Sequence, residues 1–245
     1  MLLREVYRQV TADKLGQETA DAILEGLAYC GKAFEAIREN ARVGMSEIEL
    51  KEYIDKAMTM PEGRVIDYSY VFSSGPRTAL PDILHESENK LEYGQPVFLD
   101  IWFRYNGHWV DVCRTFFMGT VSDTARRMYD ATLNVISELE KALKPGITGA
   151  ELFALADQTY SSSGYEGYLW GHVGHRIHTD AACIVPDFRK DGKETVEDGM
   201  VLALEPGIQE KGVLGVRVED NYLMTEKGLL NLFDYPKDLE YFIIK

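Results

Sequence analysis

The chain has 245 residues and is 45% hydrophobic, 27% charged and 11% aromatic, a composition that excludes a disordered, collagenous or disulfide-rich protein. Its 40 acids against 26 bases give a formal charge of −14, which argues against nucleic acid or an anionic membrane as partner, because phosphate contacts need Lys and Arg. No apolar run approaches the roughly 18 residues that span a bilayer, and the first ten residues carry Arg4, Glu5 and Arg8 where a signal peptide needs an apolar stretch.

Cys30, Cys113 and Cys183 form no CxxC and no even-numbered framework, so a reducing, cytoplasmic setting is expected. In chain order, residues 13–41 show alanines and leucines at three- and four-residue intervals without proline, and predict a helix that Gly44 ends. Ser46 with Glu49 forms a capping box for a second helix running to about Met58. A strand is expected over 65–73, followed by a polar, Gly- and Pro-containing loop to Gly94. Val97 to Phe103 and Trp109 to Val112 flank Asn106-Gly107, the best short-range sign of a β-hairpin. A helix then runs over 122–143 to Pro145-Gly146, and Thr148 with Glu151 caps another to about Ser161. Strands are expected around 176–185, 200–208 and 214–224.

The two halves match. Gly44-Met45-Ser46-Glu47-Ile48-Glu49-Leu50 and Gly146-Ile147-Thr148-Gly149-Ala150-Glu151-Leu152 share G-[MI]-[ST]-x-x-E-L. Gly94 to Asp100 and Gly199 to Glu205 share G-x-x-[VL]-x-L-[DE]. The offsets, 102 residues from Gly44 to Gly146 and 105 from Gly94 to Gly199, fit one duplication. Generic capping boxes and apolar strands would also give such matches, but each copy ends on an acid inside an apolar strand.

Those acids carry the functional argument, because Asp and Glu are rarely buried unless paired or bound to metal. With Asn106-Gly107 as a two-residue turn, Asp111 lies opposite Trp102 and Asp100 opposite Cys113. Asp100 and Asp111 then become diagonal neighbours on one face, roughly 7–8 Å apart or less. Carboxylates that close repel unless a cation lies between them. Glu205 and Glu219 form the second pair. Three of the five histidines, His172, His175 and His178, fall within seven residues of GHVGHRIH. Oxygen-rich ligation with one or two imidazoles suits Mn, Fe, Co or Zn, and not a structural Cys-zinc site. Two carboxylate-bridged ions would lower the pKa of a water and polarise a carbonyl, which is hydrolytic chemistry.

These stretches, with Ser74-Gly75-Pro76, Arg114-Thr115-Phe116, Glu205-Pro206-Gly207 and Val216-Arg217-Val218-Glu219-Asp220, resemble the methionine aminopeptidase, prolidase and aminopeptidase P superfamily over roughly 15–232. The resemblance implies an α/β (α+β) pita-bread fold, with pseudo-twofold duplicated helix–helix–hairpin units around a curved antiparallel sheet. It implies one catalytic domain over 1–245, with halves near 15–120 and 121–232, and no N-terminal prolidase-type domain. It implies two divalent ions (Mn, Co, Fe or Zn): Asp100 chelating one, Asp111 and Glu219 bridging, Glu205 and one His holding the other. Glu205 would also be the general base, and Arg217 would orient the carboxylates. The partners implied are a short peptide or small-molecule substrate and a second copy of the chain in a homodimer.

Two departures from the family pattern stand out. After Ser-Gly-Pro the family carries a His following a proline, whereas here Pro81 precedes Asp82, with His85 three residues on. Seven residues after the metal His the family has a second His followed by Glu. Counting from His175 reaches Ala182, with His172 as accessory residue. Counting from His172 comes within one residue of His178. His175 is the preferred ligand, with His172 and His178 as catalytic candidates. The ligand set favours an aminopeptidase or X-Pro dipeptidase. The altered histidines favour metal-dependent cleavage of a small metabolite on the same scaffold, and a metal-free binding module is the third reading. Tyr165, Tyr168 and Trp170 read as core packing, and Arg189 to Lys193 as an exposed loop.

Overall fold

The computed structural model describes residues 2–80, 84–169 and 171–245. Helices α1 (Leu2–Leu15), α2 (Gln17–Asn40) and α3 (Glu47–Ala57) precede strands β1 (Tyr68–Ser74), β2 (Pro96–Tyr105) and β3 (His108–Met118). Helices α4 (Asp123–Ala142) and α5 (Gly149–Ser162) then precede β4 (His172–Ile177), β5 (Ile184–Arg189), β6 (Val201–Leu204), β7 (Gly207–Glu210), β8 (Leu214–Arg217), β9 (Asp220–Thr225), β10 (Gly228–Asn231) and β11 (Ile243–Ile244). One sheet has the order β1-β2-β3-β11, a second β10-β9-β6-β4-β5, and β7 pairs with β8. All neighbours are antiparallel except β11, which runs parallel to β3.

The expected single helix over 13–41 is instead two. Gly16 sits at φ 88° between α1 and α2, a left-handed value that no helix interior accepts. The apolar face of α2 recurs at helical spacing, with Ile23, Leu27, Cys30, Phe34 and Ile37 buried. Each large side chain so buried contributes about 1.5–3 kcal/mol of transfer free energy. Both capping boxes form, Ser46 with Glu49 and Thr148 with Glu151.

The two halves repeat their backbone hydrogen bonds. Gly44 N donates to Leu91 O and Gly146 N to Val196 O, both at 2.8 Å; Leu91 N donates to Met45 O and Val196 N to Ile147 O. Gly94 N donates to Met118 O as Gly199 N does to Met224 O. Hairpin register follows the Asn106-Gly107 turn, with Tyr105 opposite His108, Trp102 opposite Asp111 and Asp100 opposite Cys113. Alternation along β3 sends Val110 and Val112 into the helix-covered core, which leaves Asp111 and Cys113 on the other face.

In the second half three expected strands are each divided. The 176–185 segment becomes β4 and β5 because His178 N turns back to Ala181 O at 3.0 Å. The 200–208 segment breaks at Pro206, which has no N–H for a ladder. The 214–224 segment breaks at Glu219, whose backbone leaves its own sheet and pairs with Cys113 at 3.0 and 3.3 Å. That bridge joins the two sheets and brings β3 against the β8–β9 junction.

Arg114 locks the same junction from the core side. Its Nη1 donates to Glu219 O at 2.7 Å and Cys113 O at 2.9 Å, its Nε to Pro236 O at 3.0 Å, and its Nη2 to Asp220 Oδ1 at 2.6 Å. Both partners of the ion pair are buried, at 0% and 1% exposure. Replacing Arg114 by Met leaves Asp220 buried with Lys237 and Asn231. It is expected to cost about 3–5 kcal/mol, read as a lower midpoint in urea with an unchanged slope.

Candidate metal centre

Asp100 lies on β2 and Asp111 on β3, Glu205 directly follows β6, and Glu219 sits between β8 and β9. All four are buried, with 5%, 8%, 8% and 1% of their surface exposed. His175 on β4 joins them, with Nε2 3.1 Å from Glu205 Oε1 and 3.8 Å from Asp111 Oδ2. One ligand atom each from Asp111, His175 and Glu219 lie within 4.8 Å of one another. Arg217, ending β8, places Nη1 2.7 Å from Asp100 Oδ2 and 3.4 Å from Glu205 Oε2. The structure thus brings together every acid singled out from the sequence, with His175 and Arg217 among them.

His172 is there too, by way of a backbone irregularity. In a regular strand residues three apart face opposite sides. The register of β4 on β5 shifts between His172 and His175, a bulge that re-aims the side chains. The two rings stack at 5.5 Å, and His172 Nε2 also lies 3.1 Å from Glu205 Oε1. Gly174 between them is required by close approach. A Cβ there would meet Ala203 O of β6 at 2.4 Å and Phe188 Cδ2 at 2.6 Å.

His178 is not brought in. It follows the end of β4 and turns to Asp180, with Nδ1 3.2 Å from Oδ2, and lines a separate groove with Trp109 and Met200. Its place on the chain, one residue past the bulged strand, sends it away from the carboxylates. His85 packs on Tyr70 at 4.8 Å. Tyr70 is opposite Ile101, one step out of phase with Asp100, so its ring leaves the other face of the sheet. Asp82 and Trp170 lie outside the described residues.

Three residues given no role from the sequence, Asn221, Thr115 and Asp187, complete the site. Asn221 accepts from Asp111 N through Oδ1 at 3.1 Å and donates from Nδ2 to Asp111 O. Thr115 donates from Oγ1 to Arg217 O and accepts from Arg217 N, both at 3.0 Å. Asn221 and Thr115 are fully buried polar residues within strands, the same anomaly that marks the acids. Asp187 accepts from His172 Nδ1 at 2.9 Å, and Cys183 stands beside both. Neither is marked by spacing, since the turn between β4 and β5 sets their approach.

The electrostatics are those of a cation site. Burial raises Asp111 and Glu219 well above the carboxylate range, each reinforced by its acidic neighbours. Burial lifts Asp100 to about 6 despite Arg217. At Glu205 burial also pushes upward, but the hydrogen bond with His175 and the charges of His172 and Arg217 prevail and hold it at about 2. His175 rises to about 9, burial being outweighed by Glu205. Asp100 Oδ1 and both Glu219 carboxylate oxygens are buried without a hydrogen-bond partner. Buried carboxylate oxygens without donors are costly, and an oxygen-rich set with one imidazole fits a divalent first-row ion.

The model of metallopeptidase family M24 matches residues 21–226. The chain belongs to this family. Xaa-Pro dipeptidase of Pyrococcus furiosus is 28% identical over 223 residues, covering 91% of this chain and 64% of that protein. Among solved structures, the Xaa-Pro dipeptidase from Bacillus anthracis has a TM-score of 0.82 at 30% identity, covering 90% of this chain and 62% of that one. The prolidase from Pyrococcus horikoshii OT3 has a TM-score of 0.82 at 25% identity, with 91% and 64% covered. The chain therefore spans less than two thirds of the length of these relatives. The fold is that of these prolidases, an α/β pita-bread architecture, and the family is one of divalent-metal peptidases. Among the described residues no helix is long and apolar enough to cross a membrane.

A cluster of like charges held together without enough counter-charge costs stability in the metal-free protein. Asp111→Asn is expected to raise the melting temperature in chelator by about 2–4 °C, for roughly 1 kcal/mol of relieved repulsion. The same variant is expected to lose the gain that added Mn2+ gives the parent protein. Thermal melts with and without chelator compare the two.

Proposed function

We propose that this chain is the catalytic unit of a dinuclear-metal-dependent hydrolase, an aminopeptidase or X-Pro dipeptidase acting on short peptides. The observation that carries this is the convergence of Asp100, Asp111, His175, Glu205 and Glu219, with three carboxylate oxygens buried and unpartnered. In this reading Asp100, Asp111, His175, Glu205 and Glu219 would hold the two ions, which would supply Lewis acidity to the scissile carbonyl and a nucleophilic water at neutral pH. The relatives named as Xaa-Pro dipeptidases support the substrate class.

The protein's own groups handle protons and orientation. Glu205, beside His172 and His175, would accept the proton of the attacking water. His172 is next in line. Its Nε2 touches Glu205 Oε1, and Asp187 at Nδ1 fixes the ring's tautomer and orientation. Arg217, held by Thr115, keeps Asp100 and Glu205 at fixed separation. A narrow cleft lined by Phe98, Leu169, His172, Gln209 and Arg217 opens beside Glu205.

The diversion of His178 and the packing of His85 on Tyr70 favour one second reading, hydrolysis of a small non-peptide amide at the same centre. Elemental analysis after equilibration with Mn2+ or Co2+ is expected to give two ions per chain, fewer in Asp111→Asn. X-Pro dipeptides are expected to be cleaved, with Glu205→Gln lowering kcat by about 10²–10⁴. No ion uptake under any condition would overturn both readings. Full metal loading with turnover of amides but of no dipeptide would select the second.

A further inference from the structure

His172 faces a second group of donors on the side away from the carboxylates. Its Nδ1 lies 2.9 Å from Asp187 Oδ1, and Arg189 holds the other Asp187 oxygen. Cys183 precedes β5 and is exposed. Its sulfur, a ring nitrogen of His172 and a carboxylate oxygen of Asp187 lie within 4.8 Å of one another. In a tetrahedral zinc site, with bonds of about 2.0–2.3 Å, neighbouring ligand atoms stand roughly 3.3–3.7 Å apart. A displacement of about an ångström by exposed Cys183 closes that gap. Sulfur makes this donor set different in kind from the five buried ligands. It selects zinc, cadmium or cuprous ions, while manganese prefers the oxygen-rich set. The buried cluster lies deeper, so an ion from solvent reaches Cys183 first.

We propose that His172, Cys183 and Asp187 form a separate thiophilic metal site. The site follows from these three residues alone and does not rest on the hydrolase reading above. On binding, the ion takes the Cys183 sulfur and the thiol proton leaves to solvent. It also takes the His172 nitrogen facing Asp187, and any proton on that nitrogen leaves to solvent. Water from solvent fills the fourth position.

The test uses the full chain loaded with Mn2+ and titrated with Cd2+. A thiolate-to-cadmium charge-transfer band in the ultraviolet is expected to saturate at one added equivalent while Mn2+ stays bound. Cys183→Ser is expected to abolish the band and weaken Cd2+ binding by at least about 100-fold. Cys30 and Cys113 are buried and remain in that variant. Cys183→Ser is expected to keep the parent's manganese content. Asp187→Asn should weaken the band's titration by about 10-fold or more.

No band, or a band that persists in Cys183→Ser, would overturn the site. Cadmium bound without a band and with manganese released would place it at the carboxylates and overturn the proposal. Because the band is read without substrate, a protein that hydrolyses nothing still tests the site.

Discussion

Four carboxylates share one buried volume, and everything around them follows from the cost of holding them there. Two unit charges about 4 Å apart interact by roughly 4 kcal/mol even at an effective dielectric constant of 20. Arg217 and His175 are the positive groups that face the cluster directly, with His172 at its edge. They bias the acids unequally. Glu205 is held ionised by imidazole and guanidinium neighbours, while Asp111 and Glu219, farther from compensation, are driven toward the protonated form. A chain that retains such a cluster stabilises it elsewhere, through the large apolar core and the buried networks behind the sheets.

The most economical of those networks is the crossing of β3 with the β8–β9 junction. Cys113 and Glu219 exchange backbone hydrogen bonds there, Thr115 clamps Arg217, Asn221 clamps Asp111, and Arg114 ties Glu219 to the core. Successive β3 residues therefore alternate in duty. Asp111, Cys113 and Thr115 address the centre, and Arg114 between them faces Phe34, Phe233 and Tyr235 on the helix side. Asp111 and Glu219 each have their backbone fixed by a partner from the other half of the chain. Such double anchoring holds reacting groups to fractions of an ångström, the precision that catalysis and metal selectivity demand.

How much of this is written locally decides how much the sequence reveals. The Asn106-Gly107 turn sets the hairpin register, so the opposition of Asp100 with Cys113 follows from counting. Acids within apolar runs announce Asp100, Asp111, Glu205 and Glu219, because a carboxylate buried in a strand needs a cation or a basic partner beside it. Capping boxes announce α3 and α5. What counting misses depends on irregular backbone. Gly16 divides a continuous helical pattern through its φ, which composition does not show. The β4 bulge puts His172 and His175 on the same oxygen, where regular alternation would separate them. Cys183 and Asp187 meet His172 only because a turn after His178 folds β5 back, and the same turn carries His178 away.

The two ends of the site rest on different kinds of backbone. The carboxylate end is built on register and paired strands, where a one-residue slip would reverse every side chain. The other end is built on the segment after Ser74 and on the β4–β5 turn, connections whose length and direction tolerate change. Family histidines are expected in both segments. In the first, His85 is spent on packing against Tyr70; in the second, His178 pairs with Asp180. Asp187 of β5 and Cys183 just before it lie beside His172. Changes at the turn need not disturb a single carboxylate, since no hydrogen bond of the Cys113–Glu219 crossing runs through it.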